Sequence, residues 1–173
     1  FIAEQNIGAF DFFSIVIWKA NRAKSRIAKR LREKASKHRT DLEAIARDST
    51  KSLCDAEDGQ ARLRILLCTW GFLLPMATAI LSILWPDEFT VYDVRVCGEL
   101  KEIRIGGDLK DFTDLANLSN VDKNFDKVWA RYFEYRESVR AAVPQESSLR
   151  DKDRYLWGRS AARQVQSDIA SGF

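Results

Sequence analysis

The chain has 173 residues, of which 46% are hydrophobic and 31% are charged, and this composition is typical of one soluble globular domain with its own core. Its only histidine, His38, argues against a histidine-based catalytic triad, and three cysteines without paired spacing argue against a zinc site or an iron–sulfur centre. The net charge is only +3, and no residue pattern requires a cofactor or a metal ion.

The first predicted element is a helix over Phe10–Lys34, with Asp11 as its N-cap. Apolar residues at three- and four-residue steps form one stripe: Val16, Ala20, Ala23, Ile27 and Leu31. Between Lys19 and Arg39 there are ten basic residues and only one acidic residue, so the rest of the chain is net acidic. Such a basic stripe attracts polyanions by Coulomb steering and counterion release, and the simpler alternative is a solvated helix face.

Residues 35–60 are polar, and they predict a short helix followed by a loop over Asp55–Gly59. The next feature is a run of 21 residues, Ile65 to Trp85, that carries no charge. Its length alone matches a membrane span. Gly71 and Pro75 interrupt the run, and acidic residues follow it directly, which disfavours both a membrane span and a long buried strand.

Two short buried helices joined by a turn explain the uncharged run better. We expect helices over Leu63–Trp70 and Pro75–Leu84, with the turn between them. Gly71 can adopt the positive φ of a helix C-cap, and proline is well tolerated in the first turn of a helix. The same pattern has a purely structural interpretation, in which the pair of helices is only part of the core.

The last third of the chain is predicted to be mainly helical. A loop is expected at Gly106-Gly107 and a helix at Leu109–Leu118. A longer helix over Val121–Val143 ends at Pro144, and a last helix begins after Ser147 or Ser148. The predicted fold class is therefore all-α, with residues 1–173 as a single compact helical domain.

Cellular location is inferred from the cysteines, Cys54, Cys68 and Cys97. Their odd number predicts free thiols in a reducing compartment, so an intracellular protein of the cytoplasm, nucleoid or nucleus is expected. The chain begins with Phe1 rather than methionine, so its native N-terminus is expected to be missing. No membrane partner is expected, and the sequence leaves the oligomeric state open.

The segment "GFLLPMATAILSILWPDEFTVYDVRV", residues 71–96, resembles the helix-hairpin-helix segment of the DNA base-excision glycosylases. In this resemblance Gly71 takes the place of the first hairpin glycine, Ala77 that of the helix alanine and Asp93 that of the catalytic aspartate. Asp93 follows Pro75 by 18 positions, which is the interval that the family uses. The resemblance implies an all-α glycosylase-like domain that binds duplex DNA.

A second segment, "FFSIVIWKANRAKSRIAKRL" at residues 12–31, resembles the early helix of the same family. There, polar side chains enter the duplex beside the extruded nucleotide. The resemblance places Lys19, Asn21 and Arg22 in that region, and Arg26 and Arg95 are added as phosphate contacts. Trp18 and Trp70 are candidates to stack on the base, although a tryptophan is more often part of a core.

Two positions depart from the family pattern. Leu73 stands where the second hairpin glycine is expected, and its side chain can hinder the approach of a phosphate to the backbone. Pro75 stands where bifunctional members have the Schiff-base lysine, and proline has no primary amine. The resemblance therefore implies a monofunctional enzyme, without lyase chemistry through this position.

Three functions remain open from the sequence. The first is a monofunctional DNA glycosylase, in which Asp93 orients or deprotonates the water that attacks the sugar. The second is a catalytically inactive nucleic-acid-binding module of the same fold. The third is a helical protein-interaction domain. Asp93 also has a purely structural interpretation, because an aspartate before "VRVCGEL" is a good N-cap.

Overall fold

The computed structural model describes residues 4–35, 41–103, 111–117, 120–142 and 146–172. Within these ranges the chain forms eight α-helices: α1 Ala9–Ala20, α2 Lys24–Lys34, α3 Leu42–Cys54, α4 Gly59–Arg64, α5 Leu74–Leu84, α6 Val94–Glu102, α7 Val121–Ala141 and α8 Leu149–Ser171. Short 3₁₀ turns lie at Asn21–Ala23 and Thr113–Asn117, and α4 continues into a π-helical segment, Ile65–Thr69. No strand occurs within the same ranges, and the predicted all-α class is confirmed.

Helix α5 is the most deeply buried helix, and α1, α4 and the π-helical segment pack around it. Because this helix carries no charged side chain, its burial on nearly all sides removes no charge from water. Its buried polar groups are satisfied locally. The Thr78 hydroxyl donates to the Leu74 carbonyl at 2.8 Å and accepts from the Tyr92 N–H at 2.9 Å. The second contact joins the centre of α5 to the loop before α6.

The turn between the two uncharged helices lies where the sequence places it. The π-helical segment ends at Thr69, Gly71 adopts φ +66°, and α5 begins at Leu74 with Pro75 in its first turn. The Phe72 N–H donates to the Leu66 carbonyl at 2.9 Å, which closes the turn. Burial within the protein therefore accounts for the apolar character of this run.

A membrane span was the alternative interpretation of the uncharged run. Across the ranges that the structure describes, none of the helices combines the length and the apolar character needed to cross a bilayer.

The first predicted helix is wrong in two respects. The stretch 10–34 is not one helix, because the backbone leaves the helical region at Ala20 (φ −159°, ψ 81°) and a 3₁₀ turn separates α1 from α2. The physical reason is tertiary packing. Helix α1 packs against both α3 and α5, whereas α2 packs along α3 and reaches the turn at Gly71 through Arg30, so the two segments make different contacts.

The predicted N-cap of this helix is also wrong. Helix α1 begins at Ala9, so Asp11 lies in its first turn rather than before it. The Ala9 N–H donates to the Glu43 carboxylate of α3 at 2.7 Å, which replaces a local cap with one from a distant helix. A Cβ at Gly8 would lie 2.5 Å from Glu43 Oε1, so glycine is what lets this carboxylate approach.

The later elements agree with the sequence where the structure describes them. Helix α7 begins at Val121 as predicted, and Ser148 caps α8 by accepting from the Asp151 N–H at 3.1 Å. The expected helix at 109–118 is observed only as the 3₁₀ turn at Thr113–Asn117. The predicted loop at Gly106-Gly107 and the predicted stop at Pro144 lie outside the described residues.

Helix α8 is held against α6 by a buried acidic residue. The Glu99 side chain is 1% exposed, and two arginines of α8 reach it: Arg159 Nε lies 3.2 Å from Glu99 Oε2, and Arg163 binds Oε1. Arg163 also binds Glu102 at the end of α6. These charge-assisted contacts fix the position of α8 relative to the loop that precedes α6.

Candidate functional site

Asp93 is the N-cap of α6, with an extended backbone (φ −143°, ψ 133°). Its Oδ1 atom accepts from the Arg95 N–H at 3.0 Å, and its Oδ2 atom lies 2.7 Å from the Nζ atom of Lys19 on α1. The side chains of Lys19 and Asp93 are 16% and 18% exposed, so the ion pair is mostly shielded from solvent. One carboxylate thus caps α6 and joins it to the start of the basic stripe.

The loop before Asp93 is held by tyrosines of the core. Tyr132 donates to the Thr90 carbonyl at 2.7 Å, and Tyr135 donates to the Val91 carbonyl at 2.8 Å. Tyr92 donates to the Phe112 carbonyl at 2.9 Å. Burial raises the pKa of Tyr132 and Tyr135 above the ordinary value, so both remain neutral donors. The backbone on the N-terminal side of Asp93 is therefore fixed by hydrogen bonds rather than by packing alone.

Asp93 opens onto a cavity of about 560 Å³, which we call the cleft. Three parts of the chain line it: Trp18 and Lys19 of α1; Val91, Asp93 and Arg95 at the start of α6; and Asp153, Arg154 and Trp157 of α8. The cleft therefore combines two carboxylates, three cations and two indoles. A volume of this size is within the range of small-molecule sites.

The two indoles of the cleft are accessible. Trp18 is 57% exposed and Trp157 is 47% exposed, which is unusual for so large an apolar side chain. An exposed indole offers a flat surface for stacking on a planar ring. The two indoles therefore give the cleft two flat apolar surfaces beside its charged groups.

Asp153 is the second carboxylate of the cleft. Its Oδ1 atom is buried, and the buried Thr90 hydroxyl nearby forms a hydrogen bond that favours the charged carboxylate. Burial is the main cause that raises the pKa of Asp153, which reaches about 6 once the Thr90 hydrogen bond and Lys19, which lower it, and the Asp93 charge, which raises it, are included. Two carboxylates in one cleft thus occupy different environments, as in acid–base pairs of hydrolases.

A second hollow, of about 240 Å³, lies between the basic stripe and the turn at Gly71, and we call it the turn groove. The groove is lined from both sides: Lys19, Ala20, Ala23, Arg26, Ile27 and Arg30 on one side, and Phe72, Leu73, Pro75 and Met76 on the other. Arg30 donates to the Gly71 carbonyl and so ties α2 to the turn. The Leu73 side chain is 72% exposed at the mouth of this groove.

The structure brings together most of the predicted site residues. Trp18, Lys19, Asp93 and Arg95 line the cleft, while Lys19, Arg26 and Leu73 line the turn groove. Gly71 is not among the lining residues of the turn groove, but Arg30, which lines it, donates to the Gly71 carbonyl. Lys19 is the one residue that lines both hollows.

The remaining predicted residues lie apart from the cleft. Asn21 and Arg22 are exposed on the 3₁₀ turn between α1 and α2, where Asn21 accepts from the Lys24 ammonium at 2.8 Å. Trp70 is partly buried and packs against the hydrophobic core, and it is not among the residues that line the cleft. Stacking on a ligand in the cleft therefore falls to Trp18 and Trp157.

Sequence reasoning missed the contribution of α8. Asp153 and Trp157 are four residues apart, so they lie on one face of this helix, next to the positions that pack into the core. An aspartate and a tryptophan at this spacing are a weak local signal. Nothing in the sequence indicates that this face meets Asp93, because the contact depends on how α8 packs on α6.

Carboxylate, thiolate and imidazole groups are the usual protein ligands of a metal ion. In the part of the molecule that the structure describes, no group of three or more His, Cys, Asp or Glu side chains is arranged to hold one. No protein-family model, curated protein or solved structure matches this chain.

Proposed function

We propose that this chain binds DNA and hydrolyses the N-glycosidic bond of an extruded base, with Asp93 assisting the attacking water. The observation that carries the proposal is the position of Asp93. It is a carboxylate at a rigid helix N-terminus, it opens onto the cleft, and it lies beside the cation and the indole at the end of α1. Residues from two separate segments of the family resemblance thus meet at one site.

The chemistry follows from the charge that the reaction develops. Cleavage of an N-glycosidic bond leaves positive charge on the sugar, and a nearby carboxylate stabilises that charge. The same carboxylate can accept a proton from the water that attacks C1′. Asp93 suits this role, because its backbone is fixed by the Arg95 N–H contact and by the loop before it.

The base must leave the helical stack before the cleft can hold it. Extrusion costs stacking and pairing energy, and stacking on a side chain recovers part of that cost. Trp18 and Trp157 are exposed in the cleft and offer this replacement. In this proposal the base lies near the indoles and the sugar lies near Asp93.

DNA affinity in this proposal comes from the turn groove and the basic stripe. The N-terminus of α5 faces the groove, and the positive end of a helix favours a phosphate. Arg26 is exposed and lines the same groove. A phosphate here also competes with Asp93 for the Lys19 ammonium, so DNA binding would free the carboxylate for its role with water.

One observation favours the inactive nucleic-acid-binding module. Both carboxylate oxygens of Asp93 already have partners, Lys19 and the Arg95 N–H, so capping and ion pairing account for this residue without any reaction. Under this alternative the turn groove still binds phosphate, and the cleft has no catalytic role.

Binding and base release by the wild-type protein test the proposal. We expect affinity for duplex DNA that falls steeply with salt, and release of at least one damaged or mismatched base. Asp93→Asn should abolish base release and leave DNA affinity unchanged or higher, since asparagine also caps helices. Asp87→Asn, on the exposed loop before α6, is the matched control and should behave as wild type.

The outcomes separate the candidates. Wild-type protein that binds DNA and releases no base supports the inactive module. Protein that shows no DNA binding at low salt contradicts both.

A further inference from the structure

A row of cations on α2 borders the turn groove. Arg26, Arg30 and Lys34 follow one another at four-residue spacing, so they lie along one face of this helix about 6 Å apart. Arg26 and Arg30 line the groove. A Cβ at Gly71 would lie 3.7 Å from the Lys34 Cε atom and 3.8 Å from the Arg30 Cδ atom, so the row continues along the turn. No carboxylate is among the described residues that line this groove, and such a row therefore suits a chain of phosphates.

The cleft offers a different chemistry, because it combines apolar surface with negative charge. Trp18 lines it from α1 and is 57% exposed, and Trp157 lines it from α8 and is 47% exposed. The carboxylates of Asp93 and Asp153 lie in the same cleft and oppose the entry of a phosphate. A neutral planar ring meets no such repulsion and can stack on an indole. The cleft therefore suits bases, whereas the groove suits the backbone that carries them.

Lys19 joins the two hollows, because it lines both of them. Its neighbours in the chain divide between them, since Trp18 lines the cleft and Ala20 lines the turn groove. A strand whose phosphates lie along α2 can thus reach the cleft with its bases without leaving the surface. A cationic groove that follows the backbone, next to exposed aromatic rings that stack on the bases, is the combination found in single-strand binding sites.

We propose that the turn groove and the cleft together bind single-stranded DNA, with the phosphates along the α2 cations and two unpaired bases stacked on Trp18 and Trp157. This inference rests on the DNA binding of the proposed function and does not need its hydrolysis. In a duplex, neighbouring bases cover the faces of each base, and only the edges are open in the grooves. The two exposed indoles thus gain contacts from a single strand that an intact duplex does not offer. The site prefers an unpaired strand to a duplex for this reason.

The test compares three ligands of equal length by fluorescence anisotropy. They are a labelled oligothymidylate, its duplex with oligoadenylate, and a strand of abasic residues that carries the same phosphates without bases. The oligothymidylate should bind about tenfold or more tightly than either of the others, because only its bases can stack on the indoles. It should also quench the tryptophan emission of the protein, and the abasic strand should not.

Two variants separate stacking from charge. Trp18→Ala and Trp157→Ala should each weaken oligothymidylate binding about tenfold and leave the affinity for the duplex and the abasic strand within about twofold. Trp18→Phe keeps an aromatic face and should retain most of the affinity. Both indoles are about half exposed, so the variants should fold, which circular dichroism checks.

A matched control is available on α8. Tyr155 is 47% exposed, as Trp157 is, and it is not among the residues that line the cleft. Tyr155→Ala should bind all three ligands as the wild type does. A loss of oligothymidylate affinity in this variant equal to that of Trp157→Ala would overturn the assignment of the bases to the cleft.

The failures of the inference and of the proposed function are distinguishable. Equal affinity for the oligothymidylate and the abasic strand, or tighter binding of the duplex than of the oligothymidylate, overturns the single-strand site and leaves the proposed function intact. Tryptophan variants that bind the oligothymidylate as the wild type does have the same consequence. Binding of none of the three ligands at low salt overturns both. A preference for the oligothymidylate that depends on both indoles, without release of a base from any DNA, supports the single-strand site and contradicts only the hydrolysis.

Discussion

The cleft and the turn groove are neighbours that share Lys19, and their chemistry differs. The cleft contains two carboxylates, and burial raises the pKa of one of them, Asp153, to about 6. The turn groove has no carboxylate among its lining residues, and its cations lie beside a helix N-terminus and an exposed leucine. Under the proposed function this difference corresponds to a division of labour, in which the groove supplies affinity for a polyanion and the cleft supplies the chemistry.

The two hollows also differ in how they are built. The turn groove lies between α1–α2 and the turn that begins α5, all in the first half of the chain. The cleft needs α8, the last helix, which α6 holds through Glu99. A change that loosens α8 should therefore affect the cleft and leave the groove intact.

The largest expected effect is on the pH dependence of folding. With a pKa of about 6 against an ordinary 3.8, Asp153 holds more protons in the folded state than in the unfolded state between about pH 4 and 6. Its contribution to stability is full below pH 4, is lost as the pH rises through 6, and amounts to about 3 kcal/mol. Asp153→Asn should remove this decline, as urea unfolding at pH 4, 5, 6 and 7 would measure.

The control for this prediction is Asp168→Asn, which should reproduce the wild-type profile, since this partly exposed carboxylate lies far along α8. If the free energies of unfolding of wild type and Asp153→Asn change in parallel between pH 4 and 7, the pKa of Asp153 is not raised in the folded protein.

The second-largest effect is expected in duplex binding by the turn groove and the adjacent basic stripe. Arg22 and Arg26 are exposed on the basic stripe, and removing both by Arg22→Ala and Arg26→Ala should weaken duplex binding by roughly one to two orders of magnitude. The slope of log affinity against log salt should become shallower by about 0.9 for each phosphate that is no longer neutralised. Base release at saturating protein should stay unchanged. Fluorescence anisotropy at several salt concentrations measures the affinity.

Lys127→Ala, on the exposed face of α7, matches this variant in charge type and should leave the salt slope as it is. An equal decrease of affinity in the Lys127 variant would mean that net charge, rather than the groove, governs binding.

A third prediction tests the support of the cleft. Glu99→Gln removes a buried charge that two arginines of α8 contact, and it should lower the free energy of unfolding by about 1–3 kcal/mol. Base release should fall more than DNA affinity, because α8 carries Asp153. Glu102→Gln, at a side chain that is 57% exposed, should cost less than about 1 kcal/mol in chemical denaturation. Equal destabilisation by the two variants would show that Glu99 does not anchor α8.

The smallest effect is expected at the mouth of the groove. Leu73 has an ordinary backbone conformation (φ −78°, ψ 151°) and a side chain that is 72% exposed, so glycine can replace it without new strain. Leu73→Gly should tighten duplex binding a few-fold, because a phosphate can then approach the helix N-terminus more closely. Stability should change by less than about 1 kcal/mol. Weaker binding would show that the leucine contacts the DNA instead of hindering it.

Much of the fold is predictable because it depends on local rules. The turn at Gly71 follows from one glycine and one proline in an uncharged run. Ser148 and Asp93 are helix N-caps, and serine and aspartate are residue types that favour this position. Two features are not local. The break at Ala20 is marked by no glycine or proline, and the cap of α1 comes from Glu43, distant in sequence.

The candidate site divides in the same way. The sequence predicts Asp93 and Lys19 as site residues, since the residues around each carry a recognisable pattern. It does not predict the 2.7 Å contact between them. Asp153 and Trp157 have no such pattern. Their place in the cleft depends on how α8 packs on α6, and a single sequence does not encode that angle in any short motif.

The most direct test of the division of labour measures two variants side by side, Asp93→Asn and the double variant Arg22→Ala and Arg26→Ala. For each, duplex affinity and single-turnover base release at saturating protein are determined on the same oligonucleotide. This division of labour predicts opposite effects: the aspartate variant keeps affinity and loses release, and the arginine variant keeps release and loses affinity. A parallel decrease of both properties in either variant would contradict it.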